Sequence, residues 1–342
     1  MSGRARSLAA LACAVAAALV LTGCGGSGSP AADADGRARP RATLILDWFP
    51  NADHAGVYAA IDRGFFREAG IVVHPQVPSD TAAALKEVAQ GKSAFAISYE
   101  PEVLLARAEG IPVVAVAALV TAPLNAVIAR ADRGIARPRD LQGKVVGAPG
   151  LPSDRALLDT VVRADGGDPA RVRIRNVGFS LAPALAAGRV DALIGAYWNV
   201  EAVEVREKGV PVTVFRLERY GVPSYDELVV VTSEAFARGR PETVRALLAG
   251  LARGQAWAAA HPAAAVRPLL RANPDLAPAL VAEQVRLVAP LFLDRGVPLH
   301  LDPAQWARYA EWMRLKGLLR RPVDAARATD VRFLPPGAGG TR

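Results

Sequence analysis

The chain has little of what most often carries catalysis or crosslinks. Of 342 residues two are cysteine, Cys13 and Cys24, and four are histidine. Both cysteines lie in the first 24 residues, so the rest of the chain has no thiol. Disulfide frameworks, thiolate metal sites and cysteine nucleophiles are therefore excluded from it. The histidines, His54, His74, His261 and His300, show neither HxH nor HExxH spacing, which removes the common zinc signatures. There is no GxSxG turn to support a serine hydrolase. Gly91-Lys92-Ser93 has the ending of a phosphate-binding loop, but Lys86 stands where that motif needs its first glycine. Aromatic residues make up 6%, and no Lys/Arg block is interleaved with them, so the formal net charge of +8 does not read as a nucleic-acid surface. The apolar run from Leu8 to Leu21 is short for a bilayer span.

That run has another reading. Arg4 and Arg6 precede it and Leu21-Thr22-Gly23-Cys24 follows, the layout of a secretory signal with a lipobox-like end. Residues 1–23 are expected to be removed and Cys24 lipidated as the new N-terminus. Residues 24–41, rich in Gly, Ala and charge without apolar periodicity, are expected to be a flexible tether. The composition beyond it, within a chain 51% hydrophobic and 22% charged, is that of a globular body.

Within the body, short apolar runs alternate with helical patterns. Strands are predicted at residues 43–46, 71–77, 94–98, 113–120, 125–129, 144–148, 172–177, 191–195, 212–215 and 227–232. Helices are predicted from Ala55, over 80–90, 102–109, 182–187 and from Ser153 or Asp154 to Ala164, with a mainly helical region from Pro241. This is an α/β layered fold. Two segments echo each other: AALKEVAQGKSAFAISYE and APALAAGRVDALIGAYW both run helix, glycine, short strand, tyrosine. Such a pair suggests two lobes facing one another. Trp306, Tyr309 and Met313 recur at helical spacing and read as core.

Chemistry-bearing residues collect at the predicted strand ends. Asp47, Trp48, Asn51 and His54 follow the first strand, where α/β sheets place ligands. Tyr99 and Glu100, then Tyr197, Trp198 and Glu201, then Tyr225 and Glu227 occupy similar positions. The Gly147–Asp154 turn, GAPGLPSD, could offer backbone N–H groups to a ligand or simply be a capped turn. Aromatic faces and carboxylates together suit a flat heteroaromatic with amino or ring N–H donors. The expected roles are stacking by Trp48 and Tyr197, acceptance by Glu201 and Asp47, and further bonds from Tyr99, Asn51 and Tyr225.

Several blocks in order also resemble one family. LDWFPNADHAGVYAAIDRGFF, SYEP (Ser98–Pro101), GAPGLPSD, AYWN (Ala196–Asn199), YGVPSYDELV (Tyr220–Val229) and WARYAEWMRLKGLL (Trp306–Leu319) are similar to binding proteins for thiamin-pyrimidine precursors, relatives of the thiamin-pyrimidine synthases. The resemblance covers roughly residues 43–335. It implies a type II periplasmic-binding-protein fold: first lobe over 42–125, second lobe over 126–226, first lobe again over 227–335, and a tail, 336–342. It further implies a monomeric, lipid-anchored protein that passes formylaminopyrimidine or hydroxymethylpyrimidine to an ABC permease, with no cofactor, metal or nucleic-acid partner. The synthases' cysteine-rich segment corresponds here to SYDELVVV (Ser224–Val231), and their lysine and histidine to Ser98 and Glu102. The chain is thus expected not to be an enzyme. Another heteroaromatic such as riboflavin, an alkanesulfonate, or synthase-like activity are the alternatives.

Overall fold

Apolar runs bounded by glycine and polar turns become strands, and the segments between them become helices, in a computed structural model that describes residues 39–336, 338 and 339. The predicted leader, Cys24 and most of the tether lie outside the described residues. Strands β1 (Arg41–Ile45), β2 (Val72–Gln76), β3 (Phe95–Ser98) and β4 (Val113–Val120) come first, with helices α1 (Ala55–Asp62), α2 (Phe65–Glu68), α3 (Ala83–Ala89) and α4 (Glu100–Ala108). Strands β5 (Asn125–Arg130), β6 (Val145–Ala148), β7 (Arg173–Asn176), β8 (Ala192–Tyr197) and β9 (Val212–Arg216) follow, with α5 (Asp154–Ala164), α6 (Leu181–Ala186) and α7 (Glu201–Glu207). Strand β10 (Leu228–Ser233) then leads into α8 (Glu234–Gly239), α9 (Pro241–Ala260), α10 (Pro262–Ala272) and α11 (Pro278–Val288). A small hairpin, β11 (Leu293–Asp294) and β12 (Val297–Pro298), precedes α12 (Pro303–Leu315) and α13 (Ala325–Ala328).

Two five-stranded sheets result, one in each of two α/β lobes. Their orders are β2-β1-β3-β10-β4 and β7-β6-β8-β5-β9. In the first, β1 runs parallel to β2 and β3, and β10 is antiparallel to β3 and β4. In the second, β6 is parallel to β7 and β8, and β5 is antiparallel to β8 and β9. The strands β3 and β8, which end the two echoed segments, hold the same central place in their sheets. Each follows a helix that stops before a left-handed glycine, Gly91 and Gly188, both at φ +68°. That conformation costs glycine little and other residues more.

Strands β4 and β10 are buried along their whole length, although β4 stands at the edge of its sheet. Continuous Val/Ala/Leu runs suit such strands, because helices cover both faces of the sheet. Trp306, Tyr309 and Met313 on α12 are buried, as their spacing predicts. Trp306 also donates from Nε1 to Asp226 Oδ2 at 2.8 Å, a polar use that spacing does not show.

Some boundaries differ from the sequence reading. β1 takes in Arg41, the last predicted tether residue, because Arg41 pairs with Val72. The helix predicted from Asp80 begins at Ala83, and α4 begins at Glu100, with Pro101 in its first turn. Ser153 is the N-cap of α5 by position but makes no capping side-chain bond. Asp154 instead turns back and accepts from Gly150 N (2.9 Å) and Leu151 N (2.7 Å). α7 and the hairpin carry little periodicity and were not expected. Among the described residues, no helix is long and apolar enough to cross a membrane.

Candidate functional site

The carboxyl ends of β1, β3, β6 and β8 meet between the sheets, and a cavity lies there, its empty volume of about 510 Å³ partly open to solvent. Its lining includes Asp47, Trp48, Asn51 and Tyr99 from the first lobe. The second lobe supplies Pro149, Leu151, Ser153, Gly195, Tyr197 and Glu201. Asn125, Tyr225 and Glu227 come from the two crossover segments.

The loop after β1 is built by local bonds. Asn51 Oδ1 accepts from Asp53 N at 2.8 Å, and Asn51 N donates to His54 Nδ1 at 3.2 Å. That second bond fixes the imidazole proton on Nε2, which donates to Asp47 Oδ1 at 2.8 Å. Tyr99 donates to the other oxygen, Asp47 Oδ2, at 3.0 Å. Asp47 is thereby held facing the cavity, with His54 fully buried behind it. Burial first, and the Asp47 charge second, push the Tyr99 hydroxyl well above its ordinary range.

The other carboxylates are equally fixed. Glu227 Oε2 accepts from Leu124 N (2.7 Å), Asn125 N (2.8 Å) and the Tyr225 hydroxyl (3.0 Å). It therefore ties one crossover to the other. Glu201, the first residue of α7, accepts from Tyr197 N at 2.7 Å. Burial raises both to about 7, against the opposing pull of those donors. Asp154, under the glycine and proline turn, also rises to about 7, chiefly through burial. Gly195 stands at φ +74°, where a Cβ would come within 2.5 Å of the Pro149 ring, so a side chain would close the wall at that point.

The two lobes touch through a small set of polar and aromatic contacts. Thr81 donates to Pro149 O at 3.0 Å, and Ser153 N donates to Glu102 Oε1 at 3.3 Å. Asn199 Nδ2 donates to Asp53 Oδ1 at 2.6 Å, and Gln284 Nε2 donates to Val200 O at 3.3 Å. The Phe179 ring packs edge-on against Trp48 at 4.6 Å and tilted against Phe49 at 4.8 Å.

Of the residues singled out from sequence, Asp47, Trp48, Asn51, Tyr99, Tyr197, Glu201, Tyr225 and Glu227 line the cavity. Three are placed elsewhere. His54 sits behind Asp47. Glu100 turns toward α12, accepting from Asp226 N at 2.7 Å and Gln305 Nε2 at 3.3 Å. Trp198 is half-buried away from the cavity lining, its Nε1 on Pro123 O at 3.2 Å and the Arg216 guanidinium 4.3 Å from its ring centroid. The sequence reading missed Phe179, Asp53 and Asn125. An isolated phenylalanine between glycine and serine was the only signal for Phe179, and nothing local distinguishes Asp53. Among the described residues, no lysine or arginine lines the cavity and no cluster could hold a metal ion.

Two α/β lobes with a cavity between their strand ends define the periplasmic-binding-protein fold. The alkanesulfonate-binding protein SsuA from Xanthomonas axonopodis pv. citri, solved with MOPS bound, superposes with a TM-score of 0.68 at 16% identity, covering 86% of this chain and 99% of that one. The chain belongs to the NMT1/THI5-like family, whose pattern matches residues 51–265. It is 34% identical over 287 residues to the formylaminopyrimidine-binding protein of Halalkalibacterium halodurans, covering 82% of this chain and 87% of the relative. It is also 25% identical over 300 residues to the 4-amino-5-hydroxymethyl-2-methylpyrimidine phosphate synthase of Legionella pneumophila, covering 87% and 93%. The family thus holds both binding proteins and enzymes.

Proposed function

We propose that this chain is a solute-binding protein without enzymatic activity that captures a thiamin-pyrimidine precursor, formylaminopyrimidine or hydroxymethylpyrimidine, for an ABC importer. The observation that carries the reading is the cavity's chemistry. Asp47, Glu201 and Glu227 share it with Trp48, Tyr99, Tyr197 and Tyr225, and no lysine or arginine among the described residues lines it. Such a wall suits a ring that donates hydrogen bonds at its edge and disfavours a sulfonate, which needs cationic or N–H donors. Trp48 and Tyr197 take the ring faces. Glu201 and Asp47 take the amino and ring-nitrogen edge, and Tyr99, Asn51, Tyr225 and Glu227 complete the contacts. The lobes are taken as 42–125 with 227–335 and 126–226. They swing about the crossovers near 121–130 and 222–230.

Serine at position 98 and glutamate at 102, where the synthases have lysine and histidine, favour binding over synthesis. The leader and Cys24 motif favour a lipid-anchored protein on the extracytoplasmic face, acting as a monomer with a permease partner. Thermal unfolding against formylaminopyrimidine, hydroxymethylpyrimidine, thiamin, riboflavin and an alkanesulfonate tests the ligand. A ligand at about 100 times its dissociation constant stabilises by ~2.7 kcal/mol, enough to move the midpoint by several degrees. A shift with the pyrimidine precursors alone is expected. A shift with only riboflavin or the sulfonate overturns the ligand, and no shift with any of them overturns this assignment.

A further inference from the structure

The inter-lobe contact between Asp53 and Asn199 is short of one donor. Asp53 lies in the 52–54 turn of the first lobe and Asn199 between β8 and α7 of the second, and both are buried. Asn199 Nδ2 donates to Asp53 Oδ1 at 2.6 Å. Asp53 Oδ2 and Asn199 Oδ1 have no partner among the described residues. Both orphans are acceptors when Asp53 is ionised, and buried unpaired acceptors on a contact this short are unfavourable. One proton on Asp53 turns its free oxygen into a donor, and the amide oxygen of its partner Asn199 lacks one.

The surroundings favour that proton. The charged groups that bear on Asp53 are Asp47 from the loop after β1, Glu201 from α7 and Glu227 from the crossover just before β10, all carboxylates, with the Tyr197 hydroxyl near them. His54, next in the chain, is committed to Asp47. α11 presents Gln284, whose amide is committed to Val200 O. Among the described residues no lysine or arginine pairs with Asp53, and burial pushes its carboxyl well above the carboxylate range.

We propose that Asp53 and Asn199 are positioning residues that form a protonated acid–amide pair when the lobes meet, so that closing the cleft takes up one proton at Asp53. When the lobes part, Asn199 withdraws, and a solvated Asp53 returns toward ordinary carboxylate behaviour and releases the proton. The loop that Asp53 belongs to also carries Asn51 and Asp47, so the pair sets where that loop stands at the cavity. The proton uptake is independent of which solute is captured. Its effect on affinity rests on the solute-binding reading above.

Asp53→Asn is the informative variant, since it keeps a donor and an acceptor in place and is neutral at every pH. The first measurement is the infrared difference spectrum of the full chain at pH 8 on adding formylaminopyrimidine. The wild type is expected to show a protonated-carboxyl carbonyl band that Asp53→Asn removes. The second is affinity for formylaminopyrimidine between pH 6 and 8.5. The ratio of variant to wild-type affinity is expected to rise about tenfold per pH unit, the signature of one proton taken up by the wild type alone. A spectrum unchanged by the substitution, or a ratio constant with pH, overturns the proposal. If formylaminopyrimidine binds neither protein, the ligand assignment fails, and the same two measurements with whichever of hydroxymethylpyrimidine, thiamin, riboflavin or an alkanesulfonate shifts the thermal midpoint decide the proton uptake.

Discussion

Glu201 shows how one side chain can be spent twice. Its Oε2 accepts from Tyr197 N, while its carboxylate lines the cavity. Glu201→Gln keeps an acceptor for that N–H and removes the charge. Affinity for formylaminopyrimidine is expected to fall by roughly 10- to 100-fold, the difference between a charge-assisted and a neutral hydrogen bond, with the folded state intact. Calorimetric titration checks the affinity, and a thermal midpoint no lower than wild type checks the fold. The same burial has a stability cost. Glu201, Glu227 and Asp154 each have a folded pKa near 7, above the unfolded value, so their contribution is fully present below the unfolded pKa and is lost as pH rises through about 7. Each shift is worth on the order of 3 kcal/mol. The midpoint of the ligand-free protein is therefore expected to fall between about pH 5 and pH 8, more shallowly in Glu201→Gln. A midpoint that rises over that window would contradict the buried-acid account.

Among elements, α1 and α9 make the closest approach that glycine permits. A Cβ at Gly254 would lie 2.2 Å from the carbonyl oxygen of Gly56 and 2.7 Å from the Ala60 Cβ, and one at Gly250 would lie 2.9 Å from the Phe66 Cα. Backbone atoms on a packed helix cannot move aside as a side-chain tip can. Gly254→Ala gains about 1 kcal/mol of helix propensity, yet the crowding is expected to outweigh it, for a net loss of roughly 1–3 kcal/mol in denaturant unfolding. An unchanged or higher midpoint would show that the helices separate freely. At this scale the sequence was most readable. Apolar runs and glycine punctuation marked β1 to β10, and the repeated helix, glycine, strand order placed β3 and β8 alike. Helix starts were less readable: a local turn at Asp80, whose Oδ1 accepts from Ala82 N at 2.8 Å, precedes the start of α3, and Asp154 was diverted from capping α5 to bind the turn before it.

At the scale of the molecule, sequence reading recovered most of the cavity wall because ligand groups cluster at strand ends, and strand ends can be seen in an apolar pattern. Proximity in sequence misled for Glu100 and Trp198. Each adjoins a lining tyrosine, Tyr99 or Tyr197, but faces elsewhere, since neighbouring residues at a strand end leave in different directions. Asp53, Phe179 and Asn125 were illegible for the opposite reason. Their roles depend on partners far along the chain, such as Asn199 for Asp53 and Gly195, whose N–H donates to Asn125 Oδ1 at 2.9 Å. The path of the chain also fixes an order of assembly. All five strands of the second sheet lie within residues 125–216, whereas the first sheet needs β10, residues 228–233, between β3 and β4. As synthesis proceeds from the N-terminus, the lobe that begins second has all its strands first. The lobe that begins first must wait, with the β3 edge open and β4 without a strand partner, until the returning strand arrives.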